Sequence, residues 1–210
     1  MKRKTVFTIF VAALLAVCGL GLAACGGPSP EEAIRQNLVE GFDPLKSGEG
    51  NSDFAKEFEK GVGGDFESYG IDSKEFADAY LDGFDYKIGE IKVDEKAGTA
   101  VAELSITMKP MMEMLNAFAS RVIDEGLTTL PADATEEDYS ALSGKILMEE
   151  VGKLEPKTVD VQIKYAKNGD GQWEADQKSV DEAALVAMMG TSDTSAVEAL
   201  AALAEQGSAE

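Results

Sequence analysis

The chain has 210 residues, with 39 Asp and Glu against 19 Lys and Arg, a formal net charge of −20 and no histidine. So acidic a surface repels nucleic acid and anionic lipid headgroups, which excludes polyanion binding as a main role. Without histidine there is no imidazole base, no imidazole metal ligand and no Ser–His or Cys–His pair.

The N-terminus carries a basic head, Lys2-Arg3-Lys4, then an apolar run from Val6 to Leu22 that ends in Leu22-Ala23-Ala24-Cys25. That layout is a secretory signal, so residues 1–24 stand outside the folded protein. The alternatives are a plain cleaved signal and an uncleaved anchor. A spanning helix needs about 20 apolar residues, and this run is at the lower limit. The tetrapeptide resembles a bacterial lipobox, whose cysteine is lipidated and becomes the new N-terminus. The resemblance implies a diacylglyceryl group on Cys25. Two acyl chains hold a protein stably where one does not. The expected place is the extracytoplasmic face of the cell membrane, anchored through Cys25 without spanning.

Removal of residues 1–24 leaves 186 residues with a net charge near −23. Cys18 leaves with the signal and Cys25 is used by lipid, so no thiol remains for a disulfide, zinc or catalysis. A domain of this size can be held by a packed core alone. Residues 25–30 form a tether, residues 31–189 a single α+β domain, and residues 190–210 an acidic, Ala-rich tail.

Ser29-Pro30-Glu31-Glu32 reads as a helix start, with Ser29 as cap, Pro30 at the first helical position and Glu32 completing a capping box. Ile34, Leu38 and Phe42 follow at helical spacing. Asp43-Pro44 is expected to end this helix, and Lys46 to Ser52 to form a loop. A second helix is predicted over Asp53 to Val62, with Phe54, Phe58 and Val62 on one face and Gly63-Gly64 breaking it. Asp72 is read as the cap of a third helix to about Asp82, with Ile71 and Phe76 as a hydrophobic staple and Gly83 as the stop.

A hairpin follows. Phe84, Tyr86 and Ile88 alternate, then Ile91 and Val93 continue on a shifted phase, so Gly89 marks a β-bulge. Asp94 to Gly98 makes the turn, and Ala100, Ala102, Leu104, Ile106 and Met108 alternate on the return strand. Lys109-Pro110 starts a helix to about Glu125 bearing Met111, Met114, Leu115, Phe118, Val122 and Ile123. Thr135-Glu136-Glu137-Asp138 caps another to about Lys153, with Leu142, Ile146, Leu147 and Val151 inward. Val159, Val161, Ile163 and Tyr165 make a strand, Asn168-Gly169-Asp170-Gly171 a turn, and Trp173 opens the partner strand. Ser179 is read as the cap of a last helix, Val180 to Met189, and Ser195 to Glu205 as a weak helix in the tail.

This order resembles the small exported lipoproteins with a nuclear-transport-factor-2-like cone fold. The residues that carry the resemblance are the lipobox, the Ser-Pro-Glu-Glu start, and Thr158 to Asp176 with its Asn168-Gly169-Asp170-Gly171-Gln172-Trp173 turn and strand. It implies helices packed on a curved antiparallel sheet built from two hairpins. The helical pair between Pro110 and Lys153 is an insertion relative to that pattern. No reaction is implied, because fold does not fix function.

No catalytic residue, metal ligand or cofactor site is expected. In an EF-hand register Asn168–Gly171 would put Ala166 and Gln177 where carboxylates are required, so the segment is a plain turn. Met108, Met111, Met112 and Met114 cluster at a strand-to-helix junction, with Met188 and Met189 later, and serve either core or groove. If a ligand pocket exists, Tyr86, Met108, Met111, Met114, Phe118 and Trp173 would line it. Glu136, Glu137 and Asp138, like Glu149 and Glu150, are adjacent acids that do not face one another on a helix. The leading expectation is a non-catalytic envelope lipoprotein that binds a small apolar molecule or another envelope protein, with no nucleic acid partner. A carboxylate-only hydrolase and a pocketless surface protein are the alternatives.

Overall fold

The computed structural model describes residues 28–62 and 66–192. In chain order the elements are α1 (Pro30–Ser47), α2 (Asn51–Val62), a 3-10 turn (Phe66–Tyr69), α3 (Ser73–Leu81), β1 (Asp85–Asp94), β2 (Thr99–Met108), α4 (Met111–Thr129), α5 (Glu136–Lys153), β3 (Lys157–Lys167), β4 (Trp173–Ala175) and α6 (Gln177–Met189). The fold is α+β, with one antiparallel sheet in the order β1-β2-β3-β4. The signal, Cys25 and the tail helix expected over Ser195 to Glu205 lie outside the described residues, as do Gly63 and Gly64.

The strand periodicity is realised as read. Ala100, Ala102, Leu104, Ile106 and Met108 are buried, and opposite them on β3 so are Tyr165, Ile163, Val161 and Val159. The register of β1 shifts between Ile88 and Ile91, at Gly89, so Ile88 and Ile91 both pair on the core face. The other face is polar, with Ser105 Oγ donating to Asp160 at 2.6 Å, Thr107 and Thr158 hydroxyls 2.7 Å apart, and Lys92 bonded to Glu103 at 2.9 Å. A sheet wetted on one side and packed on the other carries this alternation.

Two helices cover the core face. α1 lies over β1 with Phe42 stacked on Tyr86 at 4.9 Å and on Phe84 at 6.3 Å. Asn37 Oδ1 accepts from the Tyr165 hydroxyl at 3.0 Å, and Arg35 donates to the Gly89 carbonyl at 3.4 Å. The N-terminal half of α1 therefore sits toward the Asp94–Gly98 turn, and its C-terminal half over the start of β1. α6 packs under β3, where Ser179 Oγ accepts from the Lys164 amide at 2.9 Å.

Capping follows the sequence at three helices. Ser29 and Glu32 form a reciprocal box, as do Thr135 and Asp138, and Asp72 Oδ1 accepts from the Glu75 amide at 2.9 Å. Four boundaries differ, one of them the end of α4, which runs to Thr129 rather than to about Glu125. α1 does not stop at Asp43-Pro44: it runs through Pro44 to Ser47, and Gly48 closes it at φ 80°. Pro44 has no N–H to give the Glu40 carbonyl. Burial of Leu45, 3% exposed, and the Gly50 amide bonded to the Pro44 carbonyl at 2.8 Å offset that loss. The connection is thus shorter than Lys46 to Ser52, and α2 begins at Asn51. The last helix starts earlier than expected, because Asp176 is its cap, accepting from the Ser179 amide at 3.0 Å. Ser179 is a buried residue of the first turn.

The remaining helices root at the opposite end of the sheet from the Asp94–Gly98 turn. α4 leaves from Met108 and α5 returns to Lys157, and these two residues are paired. Under them α2, the 3-10 turn and α3 enclose a cluster of aromatic rings: Phe54, Phe58, Phe66, Phe76 and Tyr80, with centroids 4.6–5.9 Å apart. α5 crosses the 3-10 turn at Gly144, where a Cβ would lie 2.0 Å from the Tyr69 carbonyl oxygen.

Candidate functional site

Of the six residues expected around a pocket, three are core. Met108, Met111 and Met114 are 1%, 3% and 1% exposed. Phe118 is half-buried one turn further along α4. Tyr86 pairs with Ile106 under α1. Trp173 pairs with Lys167, whereas Met108 pairs with Lys157 at the other end of β3. Ten residues of strand separate them, roughly 33 Å. The structure therefore brings the methionines together and leaves Trp173 apart, stacked under the Lys167 ammonium at 5.1 Å.

Lys109, next to those methionines, was not anticipated. It is 4% exposed, and its ammonium donates to the Ala79 carbonyl at 2.7 Å and the Val151 carbonyl at 3.1 Å. Both carbonyls belong to the last turns of helices, α3 and α5, where peptide dipoles present partial negative charge. One ammonium thus ties two helix ends to the end of β2. The strand alternation points Lys109 outward, yet its side chain is buried.

An open depression of about 570 Å³ lies beside the C-terminal half of α1, lined by Val39, Glu40, Asp43, Pro44, Lys46, Ser47 and Glu49. It sits at the Pro44 irregularity. Tyr86 borders it: its hydroxyl donates to Asp43 at 2.7 Å, and Lys46 lies 5.7 Å from its ring centroid while pairing with Asp85 at 2.6 Å. Partial burial and the Asp43 carboxylate push the Tyr86 phenol well above its ordinary range. Asp85 is held low by Lys46, and Lys46 is held high by Asp85. Asp43, Lys46 and Asp85 are thus tied to one another through Tyr86 and the Lys46–Asp85 pair.

The adjacent acids of α5 are similarly engaged. Glu149 and Glu150 pair with Arg121 at 2.9 and 2.7 Å, Glu125 pairs with it at 2.5 Å, and Lys153 reaches Glu150 at 2.7 Å. Glu150 is buried, and Lys153 and Arg121 hold its carboxyl below the usual range. Asp138 is drawn low by the Thr135 amide it caps. Among the described residues no group of three or more Cys, Asp or Glu side chains is placed to hold a metal ion.

Part of what α4 exposes is apolar. Leu115 is 41% and Ile123 62% exposed, and Ala119 between them is exposed as well, at i, i+4 and i+8. Tyr139 of α5, 46% exposed, lies beside Gly126, where a Cβ would be 3.6 Å from its Cε1. Of the apolar residues expected along this helix, Met111 and Met114 are buried and Leu115 and Ile123 face outward. The apolar arc of α4 is broad, and periodicity alone does not say which part of it is covered.

Among the described residues no helix is long and apolar enough to cross a membrane. No protein-family model matches the chain. No curated protein matches it. Among solved structures it is similar to a crystal structure of ycdA of Bacillus subtilis, named there as a candidate lipoprotein, with 22% identity and a TM-score of 0.35. That match covers 64% of this chain and 44% of the other, so the chain spans less than half the length of that neighbour. A likeness this loose carries no argument about fold or role.

Proposed function

We propose that the chain is a lipid-anchored protein of the extracytoplasmic membrane face that acts by binding another envelope protein and not by catalysis. The anchoring half rests on Leu22-Ala23-Ala24-Cys25 behind the basic head and apolar run. The binding half rests on one observation: Met108, Met111 and Met114 fill the junction where a small-ligand pocket was expected, while Leu115 and Ile123 nearby stand in solvent. A filled core beside an exposed apolar patch favours a protein partner over a carried small molecule.

The placement of α1 gives this reading a geometry. The six residues Cys25 to Pro30 reach at most about 20 Å. The N-terminal end of α1 lies toward the Asp94–Gly98 turn, so that end of the sheet would face the membrane. The α4–α5 pair, rooted at the other end, would be held outward. The bent β1 and helices on one sheet face also support the nuclear-transport-factor-2-like reading, which we retain as a proposal. A carboxylate-only hydrolase needs two acids facing each other across a cleft. Glu149 and Glu150 are instead both clamped by Arg121.

Fractionation of cells carrying Cys25→Ala tests the anchor. The wild-type protein is expected with membranes and the variant released or stalled as precursor; a variant that still fractionates as mature protein with membranes refutes it.

A further inference from the structure

Resting on that reading, we propose that the strip of Leu115, Ala119 and Ile123 on α4, continued by Tyr139 on α5, docks a cationic amphipathic segment of the partner protein. The strip is continuous. Its three α4 residues recur every four positions on one helix face, and Ile123 lies one turn before Gly126, which the Tyr139 ring borders. The Tyr139 ring lies against α4 at Gly126, with Cε1 3.6 Å from where a Cβ would be, so the apolar surface passes from one helix to the next. A groove between antiparallel helices receives a third helix through anchors at i, i+4 and i+7.

Charge selects the occupant. Asp124, next to Ile123, and Glu136, one turn before Tyr139, are exposed, as are Asp133 and Glu137 in the same stretch of chain, and among the described residues none of them makes an ion pair. The bases of these two helices are already engaged: Arg121 by Glu125, Glu149 and Glu150, Lys153 by Glu150, and Lys145 by Glu149 at 3.9 Å. A second copy of the chain would bring the same unpaired acids face to face. Residues 193–210 contain Asp193, Glu198, Glu205 and Glu210 and no base, so the tail is repelled likewise. An anionic bilayer is repelled too. An apolar stripe with Lys or Arg flanking it satisfies both the strip and its rim, and steers the encounter as well.

The test uses the full mature chain, residues 25–210, made without lipid, so that its outcome is independent of anchoring. The probe is a fluorescent synthetic amphipathic helix with one leucine face and one lysine face; its twin carries glutamate for lysine. Anisotropy titrations are expected to show binding of the lysine helix alone. Ile123→Ser and Tyr139→Ser should each weaken it by about tenfold, the scale of losing an interface anchor. The pair Asp124→Lys with Glu136→Lys should abolish it. The pair Glu95→Lys with Asp170→Lys, equal in charge change but on turns at the other end of the sheet, should leave it within about twofold. Equal binding of the glutamate twin overturns the proposal. So does equal weakening by the remote pair, which would mean attraction by net charge alone. A wild-type dimer in sedimentation that Ile123→Ser dissociates would overturn it in favour of self-association.

Discussion

Gly144→Ala sets two principles against each other with opposite signs. Ala is the better helix former by about 0.8–1.0 kcal/mol, so propensity alone makes the variant more stable. The structure says otherwise. The new Cβ would lie 2.0 Å from the Tyr69 carbonyl oxygen, 3.1 Å from its carbon and 3.3 Å from Ile71 Cγ1. Carbon–oxygen contacts settle near 3.3 Å, so α5 and the 3-10 turn must part by on the order of 1.3 Å. The obstacle is backbone, and no rotamer change relieves it. Overpacking of this kind costs about 3 kcal/mol at the upper end of its usual range, leaving a net loss of about 2 kcal/mol. With a urea slope of about 2 kcal/mol per M, the midpoint should fall by about 1 M. Gly152→Ala is the control. Nothing lies within 4 Å of its Cβ position, so it should gain up to about 1 kcal/mol. Unfolding is read by circular dichroism for the helices and by the fluorescence of Trp173, the single tryptophan, for the sheet. Gly144→Ala as stable as wild type would refute the crossing of α5 over Tyr69.

Three further outcomes are expected. Lys109→Met leaves the Ala79 and Val151 carbonyls without their buried cation, and should cost about 3–6 kcal/mol in the same titration, since hydrogen bonds to charged groups each count for about 1.5–3. Tyr80→Phe should be neutral or stabilising by up to about 1 kcal/mol, because the Tyr80 hydroxyl is buried without a hydrogen-bond partner. Glu150 has a carboxyl lowered by Lys153 and Arg121. Its contribution is therefore complete above the unfolded carboxylate range and is lost as pH falls through the lowered native value. Glu150→Gln should be less stable than wild type at pH 7, with the gap closing in acid; a gap independent of pH would contradict the ion pairs.

Much of the fold was legible because local signals agreed with each other. The phase change at Gly89 gave the bulge, and Ser29, Asp72 and Thr135 gave their helix starts, since caps and strand alternation are decided by a few neighbouring residues. Pro44 misled because burial of Leu45 outweighed a local breaker, and Ser179 because Asp176, three residues earlier, caps instead. The candidate site was less legible. The methionines were found, yet whether they line a groove or fill a core depends on what packs above them. Leu115 and Ile123 could not be sorted from Met111 and Met114, because the apolar arc of α4 is wider than the part its neighbours cover. Lys109 gave no signal, because its partners are carbonyls of helices far along the chain.

Lipidation of Cys25 is read from the denatured mass of the protein purified from its own membranes. The expected chain begins at Cys25 and is heavier than residues 25–210 by a diacylglyceryl group, with any further acyl chain on the new amino terminus. A mass that begins at Met1, or a mature chain with no lipid on Cys25, would contradict it.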